Sequence, residues 1–314
     1  MLSKAEFRGG LLAVSGILIV VLLITSVTPG LPGELLLQSL RFHLVIAGLG
    51  LAFLTILFGA RWRGLLVLLV VVAAGAHGAV SVWEFYARRA PVADQPLAEF
   101  RFLSFNVLNV NRHPDELVDA VLADPPDVML VMETPGIERY LSRLATVFPY
   151  RVGCDNSATC DISLFSKVPI ADGKITRLQP FHFERMVTGR INVNGQDVTI
   201  AGVHLSKPYF DRASWREIFD INSVLSRIEG PLVLAGDFNS AFWSEPLEYL
   251  GRQQSLIPGP WPAATWPVRL GPLGVPIDNV FTRGNARLLT LDAGDNLGSN
   301  HRPLWADVAI YPAP

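Results

Sequence analysis

Residues 232–247 read LVLAGDFNSAFWSEPL, and most of the fold and function follows from that stretch. Leu232–Ala235 is an apolar run with the length and composition of a buried strand. It gives way to Asp237 and Asn239, two apart and so on one face of an extended segment. The same grammar recurs on either side. Asn106 closes RFLSFN, Glu133 closes DVMLVME, His204 closes VTIAGVH, Asp278 sits in PIDNVF and His301 opens HRPLWADVAI. One strand-end Asp or Asn is usually a turn former or helix cap, and one His is usually structural. A whole set at the same kind of position is different, because strand ends on one rim of a sheet converge into a single pocket.

The surrounding pattern is a mixed α/β domain over residues 99–314. Strands are expected at Phe100–Asn106, Asp127–Met132, Ile162–Ser166, Val187–Val193, Val198–His204, Leu232–Ala235, Ile277–Phe281 and Leu304–Ile310, and helices at Pro114–Ala123, Ile137–Val147 and Arg212–Ile228. Several strands alternate or run apolar as two stacked sheets covered by helices require. This part carries 19 basic and 24 acidic residues, a balance of −5. That is a poor footprint for non-specific nucleic-acid binding.

The first 98 residues are different, with only four of the 28 acidic and seven of the 26 basic residues of the chain. Leu11–Val27, Leu44–Phe58 and Leu65–Val82 carry no charge, and with their flanks each approaches the roughly 20 residues that cross a bilayer. Three transmembrane helices are therefore expected in an anchor over 1–89, followed by a Pro-containing linker at 90–98. A transporter is disfavoured, because His77 is the only ionisable group in the spans. Lys4, Arg8, Arg61 and Arg63 would face the cytoplasm, whereas Arg88 and Arg89 oppose that orientation. Cys154 and Cys160, the chain's two cysteines, suit a disulfide in an oxidising compartment. The expected location is the inner or plasma membrane, with the soluble domain periplasmic or extracellular.

With SFNVLN, VMET, GVHL, GDFNS and SNHRPL in this order, the soluble domain resembles the endonuclease/exonuclease/phosphatase superfamily. GDFNSAFWSEPL and the TWP before PIDNV resemble a bacterial membrane-anchored branch of it. The resemblance implies a deoxyribonuclease-like two-sheet β-sandwich flanked by helices, and hydrolysis of a phosphate ester with Mg²⁺, or Mn²⁺ in its stead. It implies Glu133 as a metal ligand with Asn106 beside it, and Asp237 as the base that deprotonates water. Asn239 would hold the nucleophile or a phosphate oxygen, and His301, oriented by Asp278, would donate to a phosphate oxygen together with His204. One departure stands out: the family usually has Asp before the final His, where this chain has Asn300. As a metal ligand Asn300 offers an oxygen without the charge.

The bilayer is an expected partner, and the resemblance implies no obligate protein partner. Held near a bilayer, the site suits a lipid-like or other envelope phosphate ester. The alternatives are an extracellular nuclease acting on DNA and, because of Asn300, a catalytically silent binding or sensory module. Ser206–Trp215 mixes basic and aromatic residues that suit a nucleotide or a membrane surface, and also suit a plain loop into the next helix. Trp243, Trp261 and Trp266 either line the mouth of the site or pack beneath it.

Overall fold

The computed structural model describes residues 3–89, 92, 95–153, 160–208 and 213–313. Cys154, part of the expected linker, and residues 209–212 of the Ser206–Trp215 segment lie outside the described residues. Two compact units are present, one centred on Met1–Glu84 and the other on the residues from Phe85 onward.

The first unit is helical: α1 (Lys4–Val27), α2 (Glu34–Ser39), α3 (Arg41–Leu57) and α4 (Arg61–Tyr86). A capping box starts α1, with the Ser3 hydroxyl accepting from Glu6 N and the Glu6 carboxylate accepting from Ser3 N. Leu18, Leu22, Ala52, Val67, Val71 and Ala74 form its apolar core. Gly48 permits a close approach, since a Cβ there would come within 2.7 Å of the Val71 side chain. His77 Nδ1 lies 3.5 Å from Arg41 Nη1, a contact between helices.

Two of these helices, α1 and α4, are long and apolar enough to cross a membrane. This corrects the expectation of three. The 17-residue α3 begins only after the backbone breaks at Leu40 and ends at Leu57, just before Gly59, whose φ of +89° leaves helical space. At about 1.5 Å per residue it extends about 26 Å, against about 30 Å of hydrocarbon.

The second unit pairs two mixed sheets. Its strands are β1 (Ala98–Asn106), β2 (Val128–Met132), β3 (Tyr150–Gly153), β4 (Ile162–Ser166), β5 (Ile170–Leu178), β6 (Phe183–Val193), β7 (Gln196–His204), β8 (Leu232–Asp237), β9 (Ile257–Pro258), β10 (Asp278–Arg283), β11 (Ala286–Leu288), β12 (Asp292–Ala293) and β13 (Leu304–Ile310). One sheet runs β11-β13-β1-β2-β4-β3, with β12 also on β13, and the other runs β5-β6-β7-β8-β10-β9. Apolar side chains of both meet between them, among them Phe102, Leu130, Leu164, Val187, Ile200, Val233 and Val280. A second cluster, including Phe105, Leu117, Val121, Val131 and Phe165, joins β1, β2 and β4 to helix α5 (Pro114–Ala123).

Every expected strand is present. Those missed are short, or largely exposed like β5, whose apolar residues Ile170, Ile175 and Leu178 do not alternate because its pairing with β6 shifts register twice. The expected helix at Ile137–Val147 is a 3₁₀ segment, Thr134–Tyr140, followed by the single turn α6 (Leu141–Leu144). Helices α7 (Ala213–Leu225) and α8 (Glu245–Gln253) complete the unit.

Topology brings the polar residues together. The pairs β1–β2 and β7–β8 are parallel, so Asn106, Glu133, His204 and Asp237 all come from C-terminal strand ends. β10 runs antiparallel to β8 and β13 antiparallel to β1. Their starts, Asp278 and the residues just before Leu304, therefore reach the same rim.

Candidate active site

Asp237 is the hub. Its Oδ2 accepts a 3.0 Å hydrogen bond from Asn106 Nδ2. The same oxygen lies 3.7 Å from His204 Nε2 and 3.8 Å from His301 Nε2, while Oδ1 accepts from Asn239 N at 2.8 Å. Asn106, His204, Asp237, Asp278 and His301 are all buried. Asn106 also donates to Glu133 Oε1 at 3.1 Å, bridging two carboxylates. Glu133 is half-buried, and its other oxygen accepts from Asn109 N.

Each histidine is braced from behind. His301 Nδ1 donates to Asp278 Oδ2 at 2.8 Å, and His204 Nδ1 donates to Asp161 Oδ2 at 2.8 Å. Burial opposes charge on both rings. For His301 the carboxylates of Asp278 and Asp237 outweigh it and push the pKa up to about 9. Asp161 does the same for His204, in the same direction. Burial works against Asp161 too, yet the His204 hydrogen bond holds it below the ordinary carboxylate range. Asp237 moves the other way: burial, then the neighbouring Asp278 charge, pushes it up.

The backbone is bent to this purpose. Glu133 and Asn239 adopt left-handed conformations, with φ of +58° and +50°. Asn tolerates that region, whereas Glu pays a strain of about 1–3 kcal/mol, a pattern common where a side chain must be aimed. Ser299 ties the final segment to β1, donating from Oγ to Asn106 O at 2.6 Å and accepting from His301 N at 3.1 Å. Its neighbour Asn300 is exposed. Of the three tryptophans, Trp243 is buried, Trp266 half-buried and Trp261 exposed.

Asp161 escaped the sequence reading. It immediately precedes β4, which runs antiparallel to β2 with Ile162 opposite Met132, so the start of β4 reaches the rim where β2 ends. Cys160, beside it, is disulfide-bonded.

The donor set suits a hard divalent cation: carboxylate and amide oxygens, with Asp278 Oδ1 buried and without a hydrogen-bond partner in the protein. Ligating atoms of Asp237, Asp278 and His301 fall within 4.8 Å of one another. Asn106 Oδ1 accepts from Leu108 N and keeps a second lone pair.

The model of the Endonuclease/Exonuclease/phosphatase family matches residues 103–301. Among solved structures, Danio rerio TDP2 complexed with a single-strand DNA product superposes with a TM-score of 0.56 at 14% identity, covering 67% of this chain and 98% of that one. A Staphylococcus aureus beta toxin mutant with bound magnesium ions gives 0.53 at 14% identity, with 68% and 100% covered. Sphingomyelinase C from Streptomyces griseocarneus gives 0.50 at 18% identity, with 67% and 99% covered. At these identities the likeness is one of fold. A search of curated proteins found no match.

Proposed function

The chain belongs to the endonuclease/exonuclease/phosphatase family and is a metal-dependent hydrolase of phosphate ester bonds; from that premise we propose a membrane-anchored phosphoesterase that acts on a lipid-like phosphate ester. The observation that carries the mechanism is the single oxygen, Asp237 Oδ2, faced by two histidine Nε2 atoms, each ring backed by its own carboxylate.

Asp237 orients a water and takes its proton, a task favoured by a carboxyl whose pKa is raised. Asn239 fixes the water or a phosphate oxygen. His301 is a cation at neutral pH, with its pKa near 9, and donates to a non-bridging oxygen as charge develops there; His204 gives a second bond. Mg²⁺, or Mn²⁺, would supply charge neutralisation at the phosphate, with Glu133 and Asn106 as its holders and Asn300 as an outer oxygen. Glu133 is favoured because neither of its oxygens braces a histidine. The Asp237–Asp278–His301 group is less suited, since His301 already engages Asp278 through Nδ1.

Two observations favour a lipid-like substrate. Apolar helices α1 and α4 would hold the site near head groups, raising their effective concentration. Trp261, Leu270 and Leu273 are exposed on the loop that leads into Asp278, as a membrane-facing rim would be. An acidic domain argues against a polyanionic DNA substrate. The Cys160 disulfide supports a domain outside the cytoplasm.

The test uses the full chain in detergent with bis-(p-nitrophenyl) phosphate, phospholipid vesicles and plasmid DNA, each with Mg²⁺, Mn²⁺ or EDTA. Metal-dependent turnover of vesicles, abolished in Asp237→Asn, is expected. Plasmid cleavage with inert vesicles would make the chain a nuclease, and binding without turnover a silent module.

A further inference from the structure

Glu217 lies on α7, is 2% exposed, and belongs to none of the strand ends that build the rim. Both of its carboxylate oxygens are taken by one residue: Ser206 N donates to Oε2 at 2.8 Å and Ser206 Oγ donates to Oε1 at 2.7 Å. Burying a carboxylate is costly, and two such donors are what offset it. Burial pushes the Glu217 carboxyl up, while the Ser206 donors and the positive charges of Arg185 and His204 work against that rise.

The N–H of Ser206 shares its peptide group with the carbonyl of Leu205. That carbonyl accepts from Asn239 Nδ2 at 2.7 Å, and Leu205 N donates to Asp237 O at 2.8 Å. One peptide plane is therefore held by an anion at its N–H edge and by the Asn239 amide at its C=O edge. A negative partner on the N–H increases the negative charge on the carbonyl oxygen, so the two bonds strengthen each other. With one Nδ2 hydrogen fixed on Leu205, the Asn239 amide keeps a single orientation, leaving Oδ1 and one N–H for a ligand.

We propose that Glu217 is a positioning residue for phosphate-ester hydrolysis, clamping the Leu205–Ser206 peptide so that Asn239 is held in the orientation the reaction uses. The proposal rests on the reading of Asn239 as a group that holds the nucleophile or a phosphate oxygen. Glu217 touches neither; it acts through a backbone link that ties α7 to the rim. Gln at 217 can accept from Ser206 N and donate to its hydroxyl, which keeps the clamp without the charge, whereas Ala removes it.

The experiment measures kcat and KM of the full chain in detergent with bis-(p-nitrophenyl) phosphate and Mg²⁺, at a temperature where every variant is folded by circular dichroism. Glu217→Ala is expected to lower kcat about 10- to 100-fold, the scale of a small misplacement of a reacting group, with KM little changed. Glu217→Gln should recover most of the loss. In an Asn239→Ala background, Glu217→Ala should cost about twofold or less, because coupled residues are not additive. Multiplicative losses in the double variant, or a lowered melting temperature with unchanged kcat, would overturn the clamp. If the wild-type chain turns over nothing, the functional reading fails, and the clamp is still read from the Asn239 side-chain amide resonance. A shift of that resonance in Glu217→Ala, restored in Glu217→Gln, supports it; an unmoved resonance sinks it.

Discussion

Asp278, the first residue of β10, lies directly opposite Asp237, the last residue of β8, so two buried carboxylates from antiparallel strands meet on one rim. Such a pair resists ionising twice, and the fold relieves it by giving Asp278 to His301 at 2.8 Å. Replacing Asp278 by Asn removes the charge that holds the imidazolium and leaves only a neutral amide oxygen as acceptor. Asp278→Asn is expected to lower kcat on bis-(p-nitrophenyl) phosphate about 100- to 10,000-fold, the range of a positioned acid–base group. Activity within a factor of about three of wild type would mean that the reaction does not need the Asp278 charge behind His301.

The two shifted groups set a pH profile. Asp237 must be ionised to act as base, and its pKa is raised above the ordinary 3.8; activity therefore falls on the acid side, at a higher pH than a free Asp would give. His301 must be protonated, so activity also falls as pH rises through about 9. In Asp278→Asn the alkaline limb should move down toward 6.5, the ordinary value for the ring. Stability follows the same sign: a raised histidine pKa contributes fully below 6.5 and loses its contribution as pH climbs through about 9. A kcat/KM profile and melting temperatures over the same pH series check both. An alkaline limb that stays in position in Asp278→Asn would belong to another group.

The strands that carry Asn106, Glu133, His204 and Asp237 were legible because each is an apolar run with a functional residue at its C-terminal end. Asp161 and Glu217 were not, for different reasons. Asp161 immediately precedes a strand, and only the antiparallel pairing of β4 with β2 shows that this start lies on the functional rim. Glu217 sits mid-helix, where an acidic residue ordinarily means a solvated face; its buried carboxylate is met by donors from Ser206, eleven residues earlier, which periodicity does not reveal. The second of the three expected spans, Leu44–Phe58, was over-read because apolar composition records what a segment tolerates, whereas the breaks on either side of α3, at Leu40 and Gly59, set how long it can be.

Asn300 is exposed between buried Ser299 and His301, so a carboxylate there would carry little desolvation cost. Asn300→Asp is expected to lower the Mg²⁺ concentration for half-maximal activity about two- to fivefold, the scale of one solvent-exposed charge, with no loss of fold. The gain should shrink as ionic strength rises. A metal titration at two salt concentrations measures it, and an unchanged midpoint would exclude position 300 from the metal's surroundings.

The exposed side chains Trp261, Leu270 and Leu273 precede Asp278 in the chain, and the Asp278 backbone is held by that same loop, its N–H donating to Thr265 Oγ1 at 3.2 Å. Half or more of each of these three side chains is exposed to solvent, and entry into a bilayer interface would bury that area. Each large side chain buried fully contributes about 1.5–3 kcal/mol, and partial insertion of three gives an effect large enough to read. Trp261→Ser/Leu270→Ser/Leu273→Ser is expected to reduce hydrolysis of phospholipid in vesicles by at least about tenfold, while kcat/KM for soluble bis-(p-nitrophenyl) phosphate stays within about twofold. Because α1 and α4 tether the chain, the comparison is made in proteoliposomes as well as on added vesicles. Equal losses on both substrates would mean that the loop supports Asp278 and contacts no lipid, and loss only on added vesicles would mean that the tether already supplies the membrane contact.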